Sequence, residues 1–246
     1  GAYKSETAPR YDAREVARVR ADMSGAVLVL GSATPSVESY YRAEQGEYRL
    51  LTLTKRAKEN SRLAGVHIVD LREELAEGNR SIFSRRLKGL IEDRLANRQQ
   101  VMLFMNRRGY AGFVSCRSCG KAMKCPHCDV SLTYHRNGRL KCHYCGFERP
   151  LPDRCPSCGS PFIAPFGTGT QKLEEFTKRE FPTARVLRMD ADTTAKKGAH
   201  EEILVTFAEG GADILIGTQM IVKGHDFENV TLVGVMAADL SLYAPD

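Results

Sequence analysis

Eight cysteines occur in four Cys-x-x-Cys pairs within one short stretch of the chain, residues 116–158. Thiolate sulfur is a preferred ligand of Zn²⁺, and two such pairs facing each other complete the tetrahedron that a structural zinc requires. Eight ligands therefore predict two closed sites. Because neither site keeps an open coordination position, both are expected to be structural rather than catalytic.

The spacing of the pairs predicts a nested arrangement of ligands. The thirteen residues between the inner pairs include Asn137-Gly138 between β-compatible arms, which predicts a tight two-residue hairpin turn that folds one pair onto the other. A sequential arrangement would have only five residues, between Cys119 and Cys125, in which to turn. Cross-bracing would discard the closure of the hairpin. The two predicted zinc sites are Cys116, Cys119, Cys155 and Cys158, and Cys125, Cys128, Cys142 and Cys145.

Disulfide bonds in a secreted protein are the main alternative use of these cysteines. The first residues show no basic region followed by an apolar one, so no signal peptide is visible. Redox chemistry is also disfavoured, because four tandem Cys-x-x-Cys pairs have no such use. Three histidines lie among the cysteines, but complete sets of four thiolates leave them as expected surface residues.

The charge of the cysteine-rich stretch fits two interpretations. The chain has a net charge of +6 and a pI near 8.9, a mild basic bias that suits nucleic acid without requiring it. Residues 116–158 carry eight Lys or Arg and three acidic side chains. Eight thiolates on two Zn²⁺ ions lower this excess by four, which leaves about +1. The basic residues could therefore contact DNA or offset thiolate charge.

The elements that must position these residues alternate between apolar runs and amphipathic stretches. Strands are predicted at 27–30, 66–69, 101–104, 186–189, 214–216 and 232–235, and helices at 37–44, 85–97, 171–181 and 202–208. Thr34, before Pro35, is the expected N-cap of the first of these helices. Such alternation predicts an α/β fold with a parallel sheet. No apolar run approaches the ~20 residues of a membrane-spanning helix, so no membrane partner is expected.

The alternation of predicted strands and helices is interrupted twice. Residues 55–63 are rich in Lys, Arg and Asn without periodicity, which predicts a linker between residues 1–54 and a second α/β unit. The second unit is expected to be discontinuous, consisting of residues 64–112 and 164–246. The zinc module, residues 113–163, is then an insertion within it.

Polar loops follow several predicted strands, and ligands bind at the carboxyl ends of strands in open α/β sheets. Each loop has a plain structural alternative, either a tight strand-to-helix turn or a helix cap. Asp190 and Asp192 also follow a strand, but a helix-capping loop explains them equally well, and no acid–base role is assigned. The three loops contain Gly31, Ser32, Ala33 and Thr34; Gly167, Thr168, Gly169 and Thr170; and Gly217, Thr218, Gln219 and Lys223.

Together, residues 31–36, 106–109 and 216–227 resemble motif III, the Asn-Arg-Arg-Gly motif and motif V of the PriA family of primosomal replication-restart helicases, which belong to superfamily 2. Motifs III and V alone resemble the wider superfamily. The eight-cysteine insertion in the second lobe separates this family from related helicases. The resemblance covers essentially the whole chain, and it implies RecA-like lobes and the same nesting of ligands. Residues 1–54 would be the C-terminal part of lobe 1, and residues 64–112 and 164–246 a truncated lobe 2.

The resemblance implies an ATP-dependent 3′–5′ DNA helicase that recognises stalled forks and restarts replication through primosome assembly. It implies two Zn²⁺, with ATP and Mg²⁺ in the larger protein. The implied partners are forked and single-stranded DNA, primosome proteins and single-strand-binding proteins. The implied location is the cytoplasm of a bacterium, in association with the nucleoid. Gly31, Ser32, Ala33 and Thr34 would couple nucleotide state to DNA. The inter-lobe cleft would contain Asn106, Arg107, Arg108, Gly167, Thr168, Gly169, Thr170, Gly217, Thr218, Gln219 and Lys223.

Three features of such helicases are missing from the sequence: a Gly-x-x-x-x-Gly-Lys-Ser/Thr phosphate loop (Walker A), the Asp-Glu-Glu-His box (Walker B) and the arginine-bearing motif VI. We therefore expect a cut-out of a larger enzyme that is inactive on its own. One alternative is a zinc-bearing module that binds DNA or protein without turnover. Another is a different superfamily 2 translocase with a grafted zinc module. A phosphate loop and an N-terminal DNA-binding domain upstream would favour the PriA-type parent.

Overall fold

The computed structural model describes residues 3–5, 8–55, 64–105, 113–135, 137–165, 169–196, 198–221 and 227–238. The chain forms two compact units, Gly1–Gly65 and Val66–Asp246. Most of the predicted linker lies outside the described residues, and the domain boundaries stay a prediction. Six of the predicted site residues also lie outside them: Asn106, Arg107, Arg108, Gly167, Thr168 and Lys223.

The first unit contains two helices, α1 (Ala13–Ser24) and α2 (Val37–Glu44). Helix α2 has the predicted bounds, but its N-cap is Ser36 rather than Thr34, because the Ser36 hydroxyl accepts a hydrogen bond from the Ser39 amide at 3.3 Å. Helix α1 was not predicted. Its signals are Asp12, which accepts a bond from the Arg14 amide, and the left-handed Gly25 that ends the helix.

Two of the predicted strands are wrong. Residues 27–30 and 66–69 have no regular secondary structure, and neither segment is hydrogen-bonded into a sheet within the described parts of the chain. Val27 is 89% exposed and Ile68 is 96% exposed. An apolar run becomes a strand only when a neighbouring strand satisfies its backbone groups, and sequence alone does not reveal whether that neighbour is present.

The second unit carries the other elements. In chain order they are α3 (Leu71–Ala76), α4 (Arg85–Ala96), β1 (Gln100–Met105), β2 (Val114–Cys116), β3 (Thr133–Tyr134), β4 (Arg139–Lys141), β5 (Glu148–Pro150), β6 (Ile163–Pro165), α5 (Thr170–Glu180), β7 (Val186–Met189), α6 (Ala199–Ala208), β8 (Ile214–Gly217), a 3₁₀ turn (Gln219–Ile221) and β9 (Val230–Met236). No described helix is both long and apolar enough to cross a lipid bilayer.

A parallel four-stranded sheet in the order β7-β8-β1-β9 forms the centre of this unit. Alternate residues of β1 enter different cores, as the two-residue period of a strand requires. Val101 and Leu103 pack with α4 and α5 on one face, and Met102 and Phe104 pack with α6 on the other. The structure thus confirms the predicted α/β class, a parallel sheet covered by helices on both faces.

The zinc module lies between β1 and α5 in the chain and has its own small sheets. Strand β2 pairs with β6, and β3-β4-β5 form an antiparallel sheet. The predicted hairpin joins β3 to β4, but its turn is one residue longer than expected. The Gly138 amide bonds to the carbonyl of His135, and His135 pairs with Arg139, so three residues close the loop. Gly138 takes a positive φ of 78°, as the last residue of such loops does.

Gly217, at the end of β8, is packed too closely for any side chain. A Cβ atom there would lie 2.4 Å from Cγ2 of Ile221 and 2.8 Å from the carbonyl oxygen of Met189. To relieve the steric overlap with the Met189 carbonyl, the backbone of β7, the neighbouring strand, would have to move. The sequence motif singled out Gly217 as a ligand-contacting residue, and the structure adds a packing reason for glycine at this position.

We predict that Gly217→Ala lowers the free energy of unfolding by about 1–3 kcal/mol, because overpacking forces backbone shifts. Gly89→Ala is the matched control, since a Cβ atom on this exposed residue of α4 meets nothing within 4 Å. The control should raise stability by roughly 0.5–1 kcal/mol through helix propensity. Urea unfolding followed by circular dichroism measures both changes, and equal effects would refute the packing argument.

Candidate functional site

The structure brings the eight cysteines together in two sets of four. One set contains Cys116, Cys119, Cys155 and Cys158, and the other contains Cys125, Cys128, Cys142 and Cys145; within each set all four sulfur atoms lie within 4.8 Å of one another. These are the two nested sets that the spacing predicts.

The distances between sulfur atoms fit zinc better than disulfide chemistry. The Sγ atoms of Cys116 and Cys158 are 3.6 Å apart, and those of Cys125 and Cys145 are 3.5 Å apart. A disulfide needs about 2.05 Å. A tetrahedron with zinc–sulfur arms of about 2.3 Å has edges of about 3.8 Å. The two sets of four cysteines therefore fit two zinc ions.

All four Cys-x-x-Cys pairs adopt the same local turn. In each pair the amide of the residue after the second cysteine donates to the carbonyl of the first cysteine, at 2.8–3.0 Å. The amide of the first cysteine donates to the carbonyl five residues later, at 2.8–2.9 Å. These two backbone bonds close the loop around the two thiols in every pair and satisfy both backbone groups of the first cysteine.

The residue after each second cysteine has a left-handed backbone. Three of these residues are glycine, Gly120, Gly146 and Gly159, with φ between 70° and 76°, and the fourth is Asp129 at 55°. Glycine takes this conformation without steric cost, and Asp is among the few other residues that tolerate it. Sequence reasoning missed this signal, although Cys-x-x-Cys-Gly occurs three times in the sequence.

The thiols within one set differ in acidity. Hydrogen bonding from the backbone amide of Cys145 is the main cause that lowers the pKa of Cys142 to about 7, whereas the adjacent Cys145 side chain raises the pKa of Cys128 to about 12. Four neighbouring thiolates repel one another, so a set is fully deprotonated only when a cation neutralises it. Metal binding at these sets must therefore release protons.

The predicted loop at the end of β8 lies at the carboxyl edge of the sheet. Gly217 is in register with Phe104 of β1 and Met189 of β7, and Thr218 and Gln219 follow it directly. Thr218 is buried, and Gln219 is exposed. Of these two side chains, only that of Gln219 is open to solvent, and its contact with a ligand stays a prediction.

Gly169 and Thr170 stand at the start of α5, where Gly169 is the N-cap residue without a side-chain bond. The buried carboxylate of Asp190, which follows β7, accepts a hydrogen bond from the Thr170 hydroxyl. The same carboxylate accepts bonds from the amides of Asp192 and Thr193, both at 3.0 Å. Asp190 therefore ties the end of β7 to the start of α5 and closes the turn that follows β7, but it caps no helix, because α5 has no side-chain cap bond and residues 191–194 form a turn. The pairing of Thr170 with Asp190 could not be found from sequence.

Gly31, Ser32, Ala33 and Thr34 form an exposed loop of the first unit, before α2. The amide of Thr34 donates to the Ser32 hydroxyl at 3.1 Å, so the loop is held by its own side chains. These residues and Gly217–Gln219 belong to different units, and the predicted cleft between the lobes stays a prediction.

Several basic residues of the zinc module have partners close at hand. Lys124 pairs with Asp129 at 2.8 Å, and both Arg139 and Lys141 pair with Glu148. Arg154 donates to the carbonyl of Gly159 at 3.1 Å. These contacts show that part of the positive charge is paired with carboxylates and a carbonyl within the module, and they do not decide between DNA contact and offset of thiolate charge.

The sequence matches known proteins along its whole length. Residues 125–150 match the family model described as the PriA DNA helicase Cys-rich region domain. The replication restart protein PriA of Bacillus subtilis is 56% identical over 99% of this chain. PriA proteins of Synechocystis and Haemophilus influenzae are 48% and 40% identical over the same share. These matches confirm the resemblance that the motifs indicate. The chain spans about a third of the length of these relatives, 30% to 33%.

We predict that zinc removal unfolds the zinc module and spares the parallel sheet. Structural zinc in small modules contributes about 10–16 kcal/mol of apparent folding free energy, whereas the sheet has two apolar cores of its own. Hydrogen exchange measured before and after chelation should show loss of protection in β3, β4 and β5 and retention in β1 and β8. Simultaneous loss in all five strands would contradict independence of the two parts.

Proposed function

We infer that this chain is a segment of a PriA-type replication restart helicase, corresponding to about a third of such a protein. The whole protein would unwind DNA in the 3′–5′ direction at stalled forks, using ATP and Mg²⁺, and would reload the replication machinery. The observation that supports this most is the combination of two four-cysteine sets inserted after β1 with a parallel sheet in the same unit, in a chain 56% identical to a PriA protein.

In this proposal the two Zn²⁺ ions have a structural role. With four thiolates each, neither ion keeps a position for water or substrate, so neither can activate a nucleophile. The ions would instead hold the module rigid at one place on the lobe. Strand separation, or contact with primosome and single-strand-binding proteins, would use the surface of that rigid module.

The chemistry of ATP hydrolysis is assigned to the rest of the protein. Phosphoryl transfer needs a phosphate cradle and a carboxylate that holds Mg²⁺, and the sequence of this chain offers neither in recognisable form. The segment would contribute Gly31, Ser32, Ala33 and Thr34 for coupling. The carboxyl-edge loops would face DNA and nucleotide, with Asn106, Arg107, Arg108, Gly167, Thr168, Gly169, Thr170, Gly217, Thr218, Gln219 and Lys223.

A second candidate function is a zinc-bearing interaction module that binds DNA or protein without turnover. The ion pairs within the module favour protein over DNA as its partner, since they reduce the charge available to phosphates. The two functions differ in the role of the loops at the sheet edge. In the helicase these loops, with Gln219, would face DNA and nucleotide during turnover, whereas a module without turnover does not need Gln219 for activity.

We expect the isolated chain to show no ATP hydrolysis above background and to bind forked DNA weakly. Binding that rests on Lys and Arg contacts with phosphates should fall steeply with salt, losing roughly ten-fold or more between 50 and 200 mM. Fluorescence anisotropy with labelled forked DNA, and phosphate release with and without DNA, measure both properties. Tight, salt-insensitive and sequence-specific binding would contradict this expectation.

In the whole helicase, Gln219→Ala should lower DNA-stimulated ATP hydrolysis and unwinding by about five- to thirty-fold, because a lost contact of about 1–2 kcal/mol in the transition state has that effect. Gln45→Ala is the control, since Gln45 is also exposed and follows α2 in the first unit. If both variants hydrolysed ATP and unwound DNA equally well, the sheet-edge loop would have no role in helicase activity, and the interaction module would be favoured.

A further inference from the structure

Arg117 lies inside the first Cys-x-x-Cys pair, between two ligands of one predicted zinc site, and its side chain leaves the module. The guanidinium donates to the carbonyl oxygens of three successive residues before α4: Asn79 at 3.4 Å, Arg80 at 2.7 Å, and Ser81. A planar guanidinium offers several N–H donors in a fixed fork, which no other side chain does.

The loop that receives Arg117 is itself rigid. The side chain of Asn79 donates to the carbonyl of Phe83 at 2.9 Å and to Glu74 at 2.6 Å, and it accepts a bond from the Ser81 amide. Phe83 is buried in the core between the sheet and α4, where its ring meets Phe181 edge to face at 5.8 Å. The three carbonyl groups are therefore fixed relative to the parallel sheet.

The module end of the contact is also fixed. The backbone amide of Arg117 donates to the carbonyl of Phe162 at 2.8 Å, next to the pairing of β2 with β6. The ring of Phe162 lies 5.5 Å from the guanidinium carbon of Arg80, a cation–π contact across the same boundary. Partial burial lowers the pKa of the Arg117 guanidinium from its ordinary value, because burial disfavours the charged form.

We propose that Arg117 is a positioning residue that fixes the orientation of the zinc module on the parallel-sheet part of the second unit. Arg117 links the first Cys-x-x-Cys turn, which zinc would stabilise, to residues 79–81, which are anchored to the hydrophobic core through Phe83. The consequence for unwinding rests on the proposed function: movement of the lobe during ATP hydrolysis would then move the module with it.

The test uses the zinc-loaded chain with Arg117→Ala and Arg117→Lys. The control is Arg154→Ala, which removes the same charge beside the same zinc site, but whose side chain bonds within its own turn. Residual dipolar couplings report whether the module and the sheet share one orientation. Wild type and the Arg154 variant should fit a single alignment tensor. Both Arg117 variants should need separate tensors for residues 113–165 and for the sheet, because a lysine cannot span three carbonyl groups.

Hydrogen exchange gives a second measurement. The amides of Ser81 and Phe83 should exchange about ten-fold faster in the Arg117 variants, whereas β1 and β8 keep their protection. Zinc content should stay at two ions per chain in all variants. Three outcomes would each overturn the proposal. They are a single alignment tensor in Arg117→Ala, full recovery of the common orientation in Arg117→Lys, and loss of zinc from Arg117→Ala.

In the whole helicase, Arg117→Ala should lower the rate of unwinding several-fold more than the rate of ATP hydrolysis, a change in coupling that simple loss of folding would not give. This measurement separates the two claims. A variant that loses the common orientation and still unwinds forks at the wild-type rate contradicts the proposed function of the module, and leaves the role of Arg117 standing.

Discussion

Mutual repulsion among four closely spaced thiolates is the constraint on which the zinc module depends. Sulfur atoms 3.5–3.8 Å apart cannot all be charged unless a divalent cation lies between them. Besides the cysteine sets, the module has one small hydrophobic core, which includes Val114, Leu132 and Leu140. Its strands are two or three residues long, and the buried residues of its core include two of the cysteines themselves, Cys125 and Cys142. Four copies of one turn, with a left-handed residue after each second cysteine, bring the sulfur atoms to tetrahedral spacing.

The parallel sheet depends on different physics. Strands β1 and β8 are almost fully buried, and each face of the sheet is covered by helices that pack with large apolar side chains. A zinc module can therefore be inserted after β1 without contributing to this core. In the chain the module follows the carboxyl end of β1, and Gly217, Thr218 and Gln219 lie at the carboxyl edge of the same sheet. The contacts of Arg117 then join two parts that are stabilised independently.

The sequence predicts best those features that are determined locally or by ligand chemistry. The two cysteine sets follow from spacing, and β7 and α2 have the bounds that their apolar patterns indicate. Features that need a distant partner could not be predicted. Residues 27–30 have a strand-like composition, yet no strand pairs with them in the described chain. The structural role of Asp190 depends on its hydrogen bond with Thr170, twenty residues away in sequence. Helix α1 could have been found from its caps.

The central claim is that two nested sets of four thiolates each hold one zinc ion. X-ray diffraction at the zinc absorption edge tests it most directly, because anomalous peaks locate the metal independently of the chain. The account predicts two peaks, each with four sulfur atoms at about 2.3 Å, one among Cys116, Cys119, Cys155 and Cys158, and one among Cys125, Cys128, Cys142 and Cys145. A peak shared by Cys116 and Cys125, or a single peak for the whole chain, would contradict it.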